Sequence, residues 1–111
     1  MEHNVFRMKD ILLVYLKGEI NVTNSMELKK VMQKAIEENN KKILIDFKDV
    51  EFIDSSGLSV FVAAHKLISE KGGSLKFTNV KPHVQKVFNI TRMDMLFDIY
   101  NSLEQAELSF K

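Results

Sequence analysis

Asp54, Ser55, Ser56 and Gly57 lie between two apolar runs, in the stretch FIDSSGL from Phe52 to Leu58. A carboxylate and two hydroxyls at such a junction can do one of three things. They can cap a helix, supply a nucleophile, or accept a modifying group. A hydrolase elbow needs glycine two residues before and two after its serine, and Ser55 has Ile53 and Gly57 at those positions. Half of that motif is missing. His3, His65 and His83 are the available imidazole bases, but no carboxylate stands at a spacing that selects one of them. A phosphate-binding P-loop is excluded, because no Lys-Ser or Lys-Thr follows a glycine-rich loop. His83 directly after Pro82 has the placement of a phosphohistidine carrier, and equally that of a polar residue in an exposed first turn. His65 follows Phe61 and Leu58 at helical spacing and reads as a half-buried packing residue. Neither has a second ligand at metal-binding spacing, so no metal and no cofactor is expected.

The elements that must position this junction follow from hydrophobic periodicity. Asn4–Met8 and Ile11–Lys17 read as a hairpin turned at Lys9 and Asp10 and ended by Gly18. Leu28, Val31, Met32, Ala35 and Ile36 form a helical stripe opened by Asn24 with Glu27 in a capping arrangement, and Asn39 and Asn40 close it. Lys41–Phe47 suits a central strand covered on both faces, followed by a charged turn at Lys48 and Asp49 and a brief extended piece. Ser55 is then placed to be the N-cap of a helix over Leu58–Glu70, stopped at Lys71, Gly72 and Gly73, with Gly57 letting a partner approach the backbone. SLKFTNV alternates as a strand, and Pro82 opens a short helix through Val84, Val87 and Phe88. Leu96–Tyr100 is a last strand, and Ser102 caps a closing helix using Leu103, Ala106 and Phe110. The order β, β, α, β, α, β, α, β, α predicts an α/β fold with a mixed sheet of four to five strands and about four helices. The strand-to-helix junction would sit at the carboxyl end of a strand, where such folds place working groups.

Composition narrows the function classes. A chain of 111 residues with 45% hydrophobic and 28% charged residues can bury a real core, and reads as one domain over residues 1–111. Sixteen basic against fifteen acidic residues leave a formal charge of +1, so no global field draws it to nucleic acid or an anionic membrane. Cysteine is absent, which removes disulfides, thiol nucleophiles and Cys-based zinc sites. The N-terminal MEHNVFRMKD has no apolar core of a signal peptide, and the run Val60–Ala64 is far too short to span a bilayer. A cytoplasmic protein is expected.

Taken together, LKGEIN from Leu16, KKILIDFKDVEFIDSSGLS from Lys41, KGGSLKF from Lys71 and VQKVFNITRMDMLFDIY from Val84 resemble the anti-sigma-factor antagonist family, small bacterial proteins made of one STAS domain. The resemblance implies a STAS-like fold and a phosphorylation switch without catalysis. In that family the first serine after the aspartate, here Ser55, receives phosphate from an anti-sigma factor that is also a serine kinase. The unphosphorylated form binds that partner and frees a sigma factor. A serine phosphatase is the further partner implied. By position, Asp54, Ser56, Gly57 and Leu58 flank the acceptor, and Asn21, Val22 and Thr23 belong to the contact surface. Asn21 stands where the family commonly has an acid, and Ser59 where it has glycine. Met93 and Asp94 depart as well, in the loop before the last strand. The alternative on the same fold is an unswitched STAS scaffold whose serines only cap.

Overall fold

Large apolar residues on both faces of one segment, Ile43, Leu44, Ile45 and Phe47, fix the centre of the molecule, since all four are buried from water. The computed structural model describes residues 1–110 and makes this segment part of strand β3 (Lys42–Ile53). Around it stand β1 (Glu2–Met8), β2 (Ile11–Ile20), β4 (Ser74–Thr78) and β5 (Asp98–Tyr100) in the spatial order β1-β2-β3-β4-β5. β1 pairs antiparallel with β2, and every other pair is parallel. The expected mixed sheet is therefore present, with all five strands.

Three helices follow because the three parallel pairs need crossovers, and a fourth closes the described residues. They are α1 (Ser25–Glu37), α2 (Ser55–Glu70), α3 (Pro82–Ile90) and α4 (Leu103–Ser109), with a 3-10 turn at Met93–Met95 before β5. Alternation along β3 sorts the two layers. Ile43, Ile45 and Phe47 join Leu28 and Met32 of α1, Phe61 and Ile68 of α2, and Val84 and Phe88 of α3 in the main core. Leu44 faces the other way, into a smaller cluster with Ile11 and Ala106 against which Leu103 and Phe110 pack. Phe77 is the hub of the main core, with ring centres of Phe61 at 5.1 Å, Phe47 at 5.3 Å and Phe97 at 4.8 Å. Offset and edge contacts of this kind contribute beyond buried area.

Three expectations are corrected. Lys48 and Asp49 do not form a turn: β3 continues through them to Ile53. Nor does Gly18 end β2, which runs on to Ile20 and pairs Gly18 with Val50 and Ile20 with Ile53. The ladder between β2 and β3 is irregular there, with register shifts between Tyr15 and Lys17 and between Gly18 and Glu19. Gly18 takes a φ of 100° in that stretch, a conformation open to glycine at little cost. Asp49 accepts a hydrogen bond from the Tyr15 hydroxyl. Thirdly, Asn24 does not cap α1 through its side chain. Its amide turns back to the preceding loop, accepting from Asn21 N at 2.9 Å and donating to Glu19 O at 2.7 Å.

Candidate functional site

Extending β3 to Ile53 brings Asp54 to the point where the strand stops and α2 begins. Asp54 holds an extended backbone, φ −107° and ψ −176°, and is the N-cap. Its Oδ1 accepts from Ser56 N at 2.9 Å and Gly57 N at 3.2 Å. Its Oδ2 accepts from Val22 N at 3.2 Å, and its own N–H donates to Ile20 O at 3.1 Å. One side chain thus closes a helix end and ties the β2–α1 loop to it.

The consequence falls on Ser55. It does not cap, as its place in the sequence suggests, because the aspartate before it already takes the first free amides of the helix. Ser55 is instead the first helical residue, exposed, and its hydroxyl makes no hydrogen bond among the described residues. Ser56 is half-buried. Ser59, one turn on, donates from its hydroxyl to Ser55 O at 2.8 Å.

Gly57 and Leu58 lie on the inner side of this turn. Gly57 is buried, and a Cβ there would lie 2.5 Å from Ile20 Cγ2 and 2.9 Å from Ile53 Cγ1. Its lack of a side chain lets the first turn of α2 sit on the ends of β2 and β3, which replaces the expected role of admitting a partner. Leu58 is in the main core. Gly57 therefore acts by holding the exposed residues in place. Asn21 organises the adjoining loop through Oδ1, which accepts from Thr23 N and from the Thr23 hydroxyl. Val22 projects from that loop, 70% exposed.

A groove of about 390 Å³ runs from Ser55 along α2, lined by Leu58, Ser59, Val62, Thr91 and Met93. Thr91 and Met93 belong to the α3–β5 connection, far away in sequence. The periodicity of that stretch gives no sign of their nearness to Ser55.

The other nucleophile and base candidates are not assembled with it. His83 Nε2 lies 2.6 Å from Glu51 O, at the start of α3 where Lys81 pairs with Glu51. That nitrogen is thus engaged with a backbone partner. His65 packs edge-on against Phe97 at 5.8 Å, the packing role expected of it. Glu51 is held below its ordinary carboxylate pKa, first by the hydrogen bond from Lys81 and then by the charges of Lys81 and His83. No cluster of three or more potential metal ligands occurs among the described residues. No helix among them is long and apolar enough to cross a membrane.

A strand-to-helix junction of sequence DSSGL at the carboxyl end of the central strand, within a match to the STAS domain model over residues 4–106, decides the family. The chain belongs to the STAS domain family. Relatives that it matches are named anti-sigma factor antagonists. The anti-sigma-B factor antagonist of Bacillus subtilis is 35% identical over 78% of each chain. The anti-sigma F factor antagonist of Paenibacillus polymyxa is 31% identical over 97% of this chain and 93% of its own. Among solved structures, a Thermotoga maritima protein described as a putative anti-sigma factor antagonist superposes with a TM-score of 0.92 at 28% identity, covering 97% of this chain and 93% of its own. In this STAS chain the β3–α2 junction brings together an exposed hydroxyl, a capping carboxylate and an adjoining loop.

Proposed function

We propose that this STAS protein is an anti-sigma factor antagonist switched by phosphorylation of Ser55. Unphosphorylated, it binds an anti-sigma factor that is also a serine kinase and so releases a sigma factor. Phosphorylated, it lets go, and a serine phosphatase resets it. The observation that carries this reading is the division of labour at the start of α2: Asp54 caps, and the exposed hydroxyl of Ser55 is left without a structural bond among the described residues. A kinase can reach it, and no hydrogen bond must be broken to modify it.

The electrostatics give the switch its size. A phosphoserine carries about −1.5 to −2 charges at neutral pH, which the positive end of a helix dipole tolerates. Asp54 already occupies the amides of Ser56 and Gly57, so the added phosphate would stand beside a carboxylate and point outward. The fold would survive. An interface closing over it would have to desolvate two adjacent anions, and a penalty of about 2 to 4 kcal/mol weakens binding about thirty- to a thousandfold. Asn21, Val22 and Thr23 on one side, and Asp54, Ser56 and the groove along α2 on the other, frame that surface.

The test is incubation with the cognate kinase and ATP followed by peptide mapping. Phosphate on the peptide containing Ser55 is expected, and phosphate only elsewhere would refute the assignment. Ser55→Ala should keep partner binding and lose its control by ATP, while Ser55→Asp should bind more weakly. Equal affinities of the two variants would remove the electrostatic mechanism and leave an unswitched scaffold.

A further inference from the structure

The two edges of the sheet are built differently. β5, at one edge, has only three residues. β1, at the other, has seven, pairs with β2 along one side alone, and is exposed at every residue but Met8. An open edge of that length offers a row of unpaired backbone donors and acceptors, which proteins normally shorten, bulge, cover or charge. β1 carries Glu2, His3 and Arg7 toward its ends and, between them, two large exposed apolar residues, Val5 at 49% and Phe6 at 53%. They point to opposite faces. Val5 lies across from Val14 on the side of α1, and Phe6 across from Leu13 on the side of α4.

We infer that this edge is a self-association surface, on which β1 of a second copy pairs antiparallel about a two-fold axis through Val5 to make one continuous sheet. A two-fold axis normal to a sheet reverses strand direction and keeps each face, so residues opposite one another must be an even number of positions apart. Three such centres lie around the middle of the strand, at Asn4, Val5 and Phe6. Centred on Asn4, Val5 meets His3 and Phe6 meets Glu2, and no apolar pair forms. Centred on Phe6, only Asn4–Met8 can pair, because Glu2 and His3 would need partners in the turn beyond Met8, and Val5 is set against Arg7. Centred on Val5, Val5 meets its own copy on one face and the two Phe6 rings lie diagonally on the other.

Charge supports the same register. With Val5 at the axis, His3 faces Arg7 of the second copy on the α1 side. The Glu27 carboxylate stands 3.9 Å from His3 Nδ1 and would receive that guanidinium, and symmetry repeats the contact. One guanidinium nitrogen of Arg7 already donates to Asn40 Oδ1 at 2.8 Å, which leaves the rest of its fork of donors for the second copy. The surface lies on the edge strand, two strands away from β3 in the sheet.

Sedimentation velocity over a concentration series tests the inference. The chain is expected to pass from its 12.8 kDa monomer to twice that mass as concentration rises. Val5→Lys and Val5→Glu should each weaken self-association about tenfold or more, because identical charges then face each other at the axis. An equimolar mixture of the two variants should associate again, since an ammonium on one copy then opposes a carboxylate on the other. Wild-type chain that stays monomeric throughout overturns the inference. So does a dimer indifferent to both variants, or a mixture that fails to re-associate although circular dichroism shows both variants folded. Amide exchange on the wild-type chain gives a reading free of mutation: β1 amides should gain protection with concentration, and unchanged exchange in a dimer would place the contact elsewhere.

Discussion

The starts of α2 and α4 pose the same local problem and solve it with different atoms. At α4, Ser102 is the extended residue, φ −146° and ψ 158°, and its hydroxyl accepts from Gln105 N at 3.2 Å. At α2 the extended residue is Asp54, whose carboxylate satisfies two amides of the helix and a third in the β2–α1 loop. A hydroxyl that caps is committed to the fold. One that follows a capping carboxylate by a single position is free for chemistry. Register by one residue, more than residue type, separates a capping serine from one whose hydroxyl is left exposed.

Substitutions at these two helix starts sharpen that contrast. The largest effect belongs to Gly57→Ala, which puts a methyl group 2.5 Å from Ile20 Cγ2 and should cost about 1 to 3 kcal/mol in urea unfolding. Asp54→Ala removes the cap of α2 and the tether to Val22 together, and a loss of about 1 to 2 kcal/mol is expected by the same measurement. Ser102→Ala should cost about 0.5 to 1 kcal/mol, since it unpairs one amide of a short helix. Ser55→Ala should change stability by less than about 0.5 kcal/mol, because its exposed hydroxyl holds nothing among the described residues. If Ser55→Ala cost as much as Ser102→Ala, the division between capping and free serine would collapse.

The start of α3 supplies the smallest effect, through pH. Glu51 has a folded-state pKa lowered by the hydrogen bond from Lys81. A lowered carboxylate pKa favours the folded state above the unfolded pKa, and that contribution is lost as pH falls through the folded one. Stability followed below the ordinary glutamate value of 4.5 should therefore decline less steeply in Lys81→Ala than in the wild type, by a small margin because the pair is exposed.

Much of the layout is legible in the sequence. The stripe Leu28, Met32, Ala35 and Ile36 is buried as its spacing requires, Pro82 opens α3, and Ser102 caps α4. Misreadings arise where a tertiary partner overrides a local signal. Lys48 and Asp49 look like a turn, but β2 stays hydrogen-bonded to β3 across them, and the irregular ladder absorbs the mismatch. Asn24 has the right type for a cap, yet the end of β2 and the loop after it each offer its side chain a partner. Gly57 looks like an opening for a partner, and instead makes room for Ile20 and Ile53. The groove beside Ser55 is invisible to periodicity, because Thr91 and Met93 reach it only through the packing of α3.

By itself, the sequence determined the alternation of strands and helices, the junction at FIDSSGL, and the choice of Asp54, Ser55 and Ser56 to occupy it, because periodicity and residue chemistry are local properties. Only the tertiary structure decided which of those side chains would cap, which would be buried, and which would remain open to another protein. Each hydrogen-bonding atom at a helix end goes to the nearest acceptor or donor in space, and the distances that rank them exist only once β2, β3 and α2 have met.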